Sequence, residues 1–225
     1  MELVHVLNRG VDKRQIFMDD QDRFRFIHDL YEFNDIENTD NVFRNFKLKD
    51  VRRPVIGGKP RKRLVDIHAF CLMGNHYHLL LSPLVENGIS LFMKKLNGGY
   101  SKYVNERYDR KGALFQGRYK RIIVKTDAHF IHLPYYIHFN PLDMEAPEWR
   151  ERKLKSFGKA IEFLNNYRWS SHLDYLGKKN FPSVTQRSFL LKFFGGEKGY
   201  EKNIKEWLQD LSEAGDLKEK NIFLE

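Results

Sequence analysis

The stretch "RLVDIHAFCLMGNHYHLLLSP", residues 63–83, decides how the rest of the chain is read. "RLVDIHAFCLM" reads as one strand and "HYHLLLSP" as a second. Gly74-Asn75 between them is a tight-turn dipeptide, so the two strands are expected to form a β-hairpin. Side chains two apart on a strand share a face. His76 and His78 therefore present two imidazoles side by side, about 6–7 Å apart at the backbone. Tyr77 points to the other face as the hydrophobe that anchors the strand. The pair suits two ligands on one metal, or two polar residues on one face of a strand.

Working outward, "LVHVLNRG" alternates apolar and polar residues, which predicts a strand over 3–8 closed by Gly10. A helix is expected over about 20–34, capped by Asp19 or Asp20. Residues 37–63 are polar, basic and broken by Pro54, Gly57, Gly58 and Pro60, and read as a long loop. "ENGISLFMKKLNGGYSKYVNERY" reads as a helix weakened by Gly98 and Gly99. "RYKRIIVKT" reads as a strand. "TDAHFIHLPYYIHFNP" reads as a helix with Thr126 and Asp127 as caps, which Pro134 should kink or break. The order matches the split βαβ, ferredoxin-like arrangement, an α+β fold with an antiparallel sheet and helices on one face. Residues 1–145 form the expected main domain. Residues 146–225 form a mostly α-helical extension, either an appendage or a packing extension of the core.

The 225-residue chain is 41% hydrophobic and 31% charged, the composition of a soluble globular protein. It has no apolar run near the ~18–20 residues of a membrane span. "MELVHVLNRG" lacks the pattern of a signal peptide, and a cytoplasmic, bacterial-type protein is expected. With one cysteine, Cys71, no intrachain disulfide can form and a closed Cys-rich zinc site is disfavoured. The net charge of +9 makes a phosphate-bearing partner a candidate, beside the plain reading of a mildly basic soluble protein. One basic cluster runs from Arg44 to Arg63. A second, from Lys102 to Lys125, is threaded by Tyr103, Tyr108, Phe115 and Tyr119, a pattern that suits single-stranded nucleic acid. The candidate DNA contacts are Arg9, Arg61, Lys62, Arg63, Lys102, Arg107, Arg118, Lys120 and Arg121.

Tyr136 and Asn140 lie four apart, on one face of the last predicted helix. A phenol and a carboxamide docked near two histidines would supply a nucleophile and a third ligand, with Mg²⁺ or Mn²⁺ suited to the mixed donors. The other reading is an aromatic helix stripe in the core. Tyr135 points about 100° away from Tyr136. His132, one turn before Tyr136, could assist it or be structural, and His68 and His138 are read as structural.

The chain resembles the HUH-type single-tyrosine (insertion sequence 200-like) transposases, most of all their REP-associated branch. "CLMGNHYHLLL" carries the His–hydrophobe–His signature, and "YIHFNP" from Tyr136 to Pro141 resembles the family's Tyr-x-x-x-Asn-Pro helix. "HVLNRGVDKRQIF", "GALFQGRYKRIIV" and "YRWSSHLDYLG" resemble further segments in order, over about residues 3–177. Gly74 stands where the family often has proline. The resemblance implies Tyr136 as nucleophile, a divalent metal (Mg²⁺ or Mn²⁺) on His76, His78 and Asn140, and cleavage of single-stranded or hairpin DNA through a 5′-phosphotyrosine. A non-catalytic hairpin DNA- or RNA-binding module, and a replication-initiator or relaxase-type nuclease, are the alternatives. Either a monomer or a homodimer is compatible with the sequence.

Overall fold

A computed structural model describes residues 2–37 and 61–213. Most of the basic stretch expected as a loop, residues 38–60, lies outside the described residues. The strands are β1 (Val4–Arg9), β2 (Val65–Leu72), β3 (His76–Pro83) and β4 (Lys120–Ile123). The helices are α1 (Asp20–Glu32), α2 (Gly88–Arg107), α3 (Asp127–Phe139), α4 (Phe157–Asn166), α5 (His172–Tyr175), α6 (Ser188–Phe194) and α7 (Gly196–Glu213). Two short 3-10 turns, Asn140–Met144 and Pro147–Glu151, follow α3.

The sheet order is β2-β3-β1-β4 with every neighbour antiparallel, which is the ferredoxin-like order. The β2–β3 hairpin turns over Gly74-Asn75, where the Met73 amide donates to the His76 carbonyl at 2.8 Å. A Cβ at position 74 would meet the Gln15 amide oxygen at 2.2 Å, the far end of a flexible side chain that can swing aside, so a larger residue is tolerable in this turn. Asp19 caps α1 by accepting from the Asp22 amide, and Thr126 caps α3 by accepting from the His129 amide. The expected break at Pro134 is absent: α3 runs through it from Asp127 to Phe139.

Helices cover both faces of the sheet, which corrects the expectation of one covered face. One core joins Val4, Val6, Phe70, Tyr77, Leu79 and Leu81 to α1 and α2. The other joins Leu3, Ala69, Cys71 and Leu80 to α3, Trp149 and the helices beyond. Tyr77 lies fully buried in the first core, against Phe26, with its hydroxyl donating to Asn97 at 2.6 Å. Residues after 145 also close the β2 edge. The Leu72 amide donates to the Trp169 carbonyl at 2.8 Å, and the Ser171 amide to the Phe70 carbonyl at 3.0 Å. That pairing removes an open strand edge.

The two glycines inside α2 are not equivalent. A methyl at Gly99 would meet the Phe33 ring at 2.4 Å, whereas a methyl at Gly98 would meet nothing within 4 Å. Gly98→Ala is therefore expected to stabilise the fold by about 0.5–1 kcal/mol, through helix propensity and a less flexible unfolded chain. A thermal melt checks this. It should show a rise of about 2–4 °C per kcal/mol, with no comparable gain for Gly99→Ala.

Candidate active site beneath the third helix

The register places the site. His78 lies opposite Leu7 and His76 opposite Arg9, so His5, Leu7, Arg9, His76 and His78 share the face covered by α3. Both hairpin histidines are buried there, and their rings meet edge to face at 5.0 Å. The Tyr136 ring meets His78 edge-on at 5.8 Å and His5 at 6.1 Å. Tyr135 points elsewhere: its ring stacks on Tyr200 and Trp207, and its hydroxyl accepts from Asn203 Nδ2 at 3.1 Å.

Each hairpin imidazole is oriented by a hydrogen bond at Nδ1. His76 Nδ1 lies 2.6 Å from Asn75 Oδ1. An amide oxygen only accepts, so Nδ1 carries the proton and His76 Nε2 the lone pair. His78 Nδ1 lies 2.9 Å from His5 Nε2. His78 Nε2 is buried with no hydrogen-bond partner among the described residues. Burial, reinforced by the neighbouring His5, His76, Arg150 and Arg9, holds the His78 pKa well below the usual imidazole value. Burial, with a smaller contribution from His129, pushes His5 down to about 3. Both rings are therefore neutral at pH 7, the form that binds metals.

Asn140 ends α3, donating from Nδ2 to the Tyr136 carbonyl at 2.7 Å. Its Oδ1 accepts from Arg150 Nη2 at 3.1 Å, and Arg150 Nη1 donates to the Tyr136 hydroxyl at 3.3 Å. Asp143 holds the guanidinium in turn, accepting from its Nε at 2.8 Å and its Nη2 at 2.7 Å. One arginine thus links the phenol and the carboxamide. It lies outside the predicted set, and its only sequence signal is a basic residue soon after the Asn-Pro turn.

The predicted basic residues divide by location. Arg9 ends β1 opposite His76, and Lys120 opens β4 opposite Leu7, so with exposed Arg118 they lie at the histidine end of the sheet. Lys102 is exposed on α2, across the sheet, 3.7 Å from Glu106. Arg121 pairs with Glu2. Arg107 is bound to Asp19 and to buried Asp22. Arg61, Lys62 and Arg63 precede β2 and so lie at the far end of the sheet, roughly 20–25 Å away at about 3.3 Å per strand residue. There Arg61 donates to the Tyr31 carbonyl and Arg63 pairs with Asp66. Of the other histidines, His68 bonds Ser82, His138 bonds Ser171 and Tyr200, and the His132 ring lies tilted against Trp207 with centroids 4.5 Å apart.

Residues 37–140 match the family model described as "Transposase IS200 like". That segment, a little under half of the chain, is similar to the IS200-like transposases. All four residues read as nucleophile or ligands, His76, His78, Tyr136 and Asn140, fall within the segment that matches the IS200-like model, whereas His5 and Arg150 fall outside it. No curated protein matches the chain. Among solved structures, a REP-associated tyrosine transposase bound to a REP hairpin is similar at a TM-score of 0.45 and 12% identity, covering 81% of this chain and 83% of that one. No helix among the described residues is long and apolar enough to cross a membrane.

The donor set can be tested for a metal. Among the described residues no three His, Cys, Asp or Glu side chains group to hold one. Two imidazoles and the Asn140 carboxamide are what the described residues offer. The buried, unpartnered His78 Nε2 fits a ligand role, since such a nitrogen is otherwise a desolvated polar atom without return.

Proposed function

We propose that the chain is a metal-dependent single-strand DNA nuclease and strand transferase acting on hairpin-bearing DNA in the cytoplasm, of the REP-associated kind. The observation that carries this reading is the Tyr136 ring packed against His78. His76, His78 and Asn140 would hold a Mg²⁺ or Mn²⁺ ion, which when bound polarises the scissile phosphate and offsets developing charge. The Tyr136 oxygen attacks phosphorus as the phenol loses its proton. The P–O3′ bond breaks, the 3′ oxygen takes up a proton, and a 5′-phosphotyrosine remains. The ester retains the energy of the broken bond, so rejoining needs no nucleotide cofactor. A free phenol, with a pKa near 10, is a poor nucleophile at pH 7, which is why the neighbouring groups matter. Arg150 steadies Tyr136 and Asn140, and Arg9, Arg118 and Lys120 offer charge to the DNA backbone at the same end of the sheet.

The test is a labelled hairpin oligonucleotide with a single-stranded flank, incubated with Mn²⁺. Cleavage and a covalent adduct are expected from the wild type. His76→Ala/His78→Ala should lose both while retaining hairpin binding, because the two imidazoles act on the ion and not on the DNA backbone. Adduct formation that survives in the double variant, or in EDTA, would sink the metal role.

A second reading draws on Arg150, whose guanidinium already occupies the Asn140 carboxamide oxygen. With that oxygen engaged and no three-ligand cluster of the usual residues among those described, a non-catalytic hairpin-binding protein, or a replication-initiator or relaxase-type relative, is the alternative. Metal-independent binding with no adduct from the wild type would favour the binding module.

A further inference from the structure

We propose that His5 is a positioning residue that fixes the tautomer of His78, so that His78 presents a bare Nε2 to the ligand position. The inference rests on the reading of His76 and His78 as a metal pair. His5 faces Leu80 in the β1–β3 register and His78 faces Leu7, so the two imidazoles are diagonal neighbours on one face of adjacent strands. Their rings stack at 5.1 Å and 19°, with His5 Nε2 and His78 Nδ1 2.9 Å apart.

One hydrogen lies between these two nitrogens, and its owner decides the chemistry. If His78 Nδ1–H donates, His78 Nε2 is a bare lone pair and His5 carries its own proton on Nδ1. If His5 Nε2–H donates, His78 must carry its proton on Nε2, which is buried and has no acceptor among the described residues. Orphaned buried N–H groups are rarer than under-satisfied acceptors, and a protonated nitrogen cannot ligate a metal. The first arrangement is therefore favoured. His5 then does for His78 what Asn75 Oδ1 does for His76 at 2.6 Å: each accepts from Nδ1 and turns Nε2 outward. His5 is not itself a third ligand, because its Nε2 is spent on His78. Among the described residues no three-donor histidine group forms.

Two measurements test this on the full-length protein. Long-range ¹H–¹⁵N spectra of metal-free wild type should show His78 protonated at Nδ1 and bare at Nε2. The reverse tautomer would overturn the proposal. Mn²⁺ titration, followed by the EPR signal of the free ion, should give a His5→Gln variant within about threefold of wild type, because the Gln carbonyl accepts the same N–H. His5→Phe, which removes the acceptor, should bind about 10–100-fold more weakly. His5→Phe binding as tightly as wild type would overturn the role of His5 and leave the metal pair standing. A wild type that binds no Mn²⁺ would remove the metal reading instead, while the metal-free spectrum still decides the tautomer.

Discussion

Tyr136→Phe is expected to abolish the covalent protein–DNA adduct and to lower hairpin cleavage by about 10⁴-fold or more, the scale of loss when a nucleophile is removed. The substitution is close to neutral for folding. The ring keeps its edge contacts to His5 and His78, and the hydroxyl's hydrogen bond from Arg150 is long at 3.3 Å, with Arg150 also held by Asp143. A melting temperature within about 2–4 °C of wild type, the shift of a 1 kcal/mol change, would separate lost chemistry from lost structure. Tyr135→Phe is the control. It removes one hydrogen bond, accepted from Asn203 at 3.1 Å, among stacked rings of the helical core, and should leave adduct formation within a few-fold of wild type. An adduct that persists in Tyr136→Phe and vanishes in Tyr135→Phe would exchange the two assignments. Hairpin affinity unchanged in both, with no adduct from any form, would favour the binding-module reading.

The hairpin, its two-residue turn and the shared face of His76 and His78 were legible because strand periodicity and Gly-Asn chemistry are local. Tyr136 and Asn140 were legible as a pair for the same reason, at helical spacing. Non-local facts were harder. Helices on the second face could have been suspected from Leu79, Leu80 and Leu81, since an unbroken apolar run marks a strand buried on both sides. His5 was within reach too: a ferredoxin-like order sets β1 beside β3, and His5 then falls on the histidine face. Arg150 was not legible, because it returns to α3 only through the 3-10 turn Pro147–Glu151, which no periodicity announces. Arg107 was grouped with the DNA-facing bases because clustering counts charges in sequence. Its acidic partners, Asp19 and Asp22, lie more than eighty positions earlier on a different helix.

Asp22→Ala should therefore be the most damaging change away from the candidate site, at about 3–5 kcal/mol, the range for removing one partner of a buried ion pair. Asp22 is fully buried, and its carboxylate gathers donors from α2, the residue that ends it and the loop before α1. Oδ1 accepts from Tyr103 at 3.0 Å and Arg107 at 2.5 Å, and Oδ2 from the Met18 amide at 2.8 Å and Tyr108 at 2.9 Å. Without it, an amide and two phenols lose their acceptor, and Arg107 keeps Asp19 at the helix cap and the Tyr103 hydroxyl. Arg107 is partly exposed, so water recovers some of its solvation, which places the loss toward the lower end. At about 2–4 °C per kcal/mol the melting temperature should fall by roughly 6–12 °C. Asp22→Asn should fall part of the way, since one oxygen still accepts. The cluster sits between α1 and α2, on the face of the sheet opposite His76 and His78. Below the lowered melting point, adduct formation per folded molecule should thus be unchanged. Arg107→Ala supplies the complementary measurement. It should lower the melting temperature while leaving hairpin affinity and its salt dependence where they were. A salt slope reduced by about one would return Arg107 to the phosphate-contacting set.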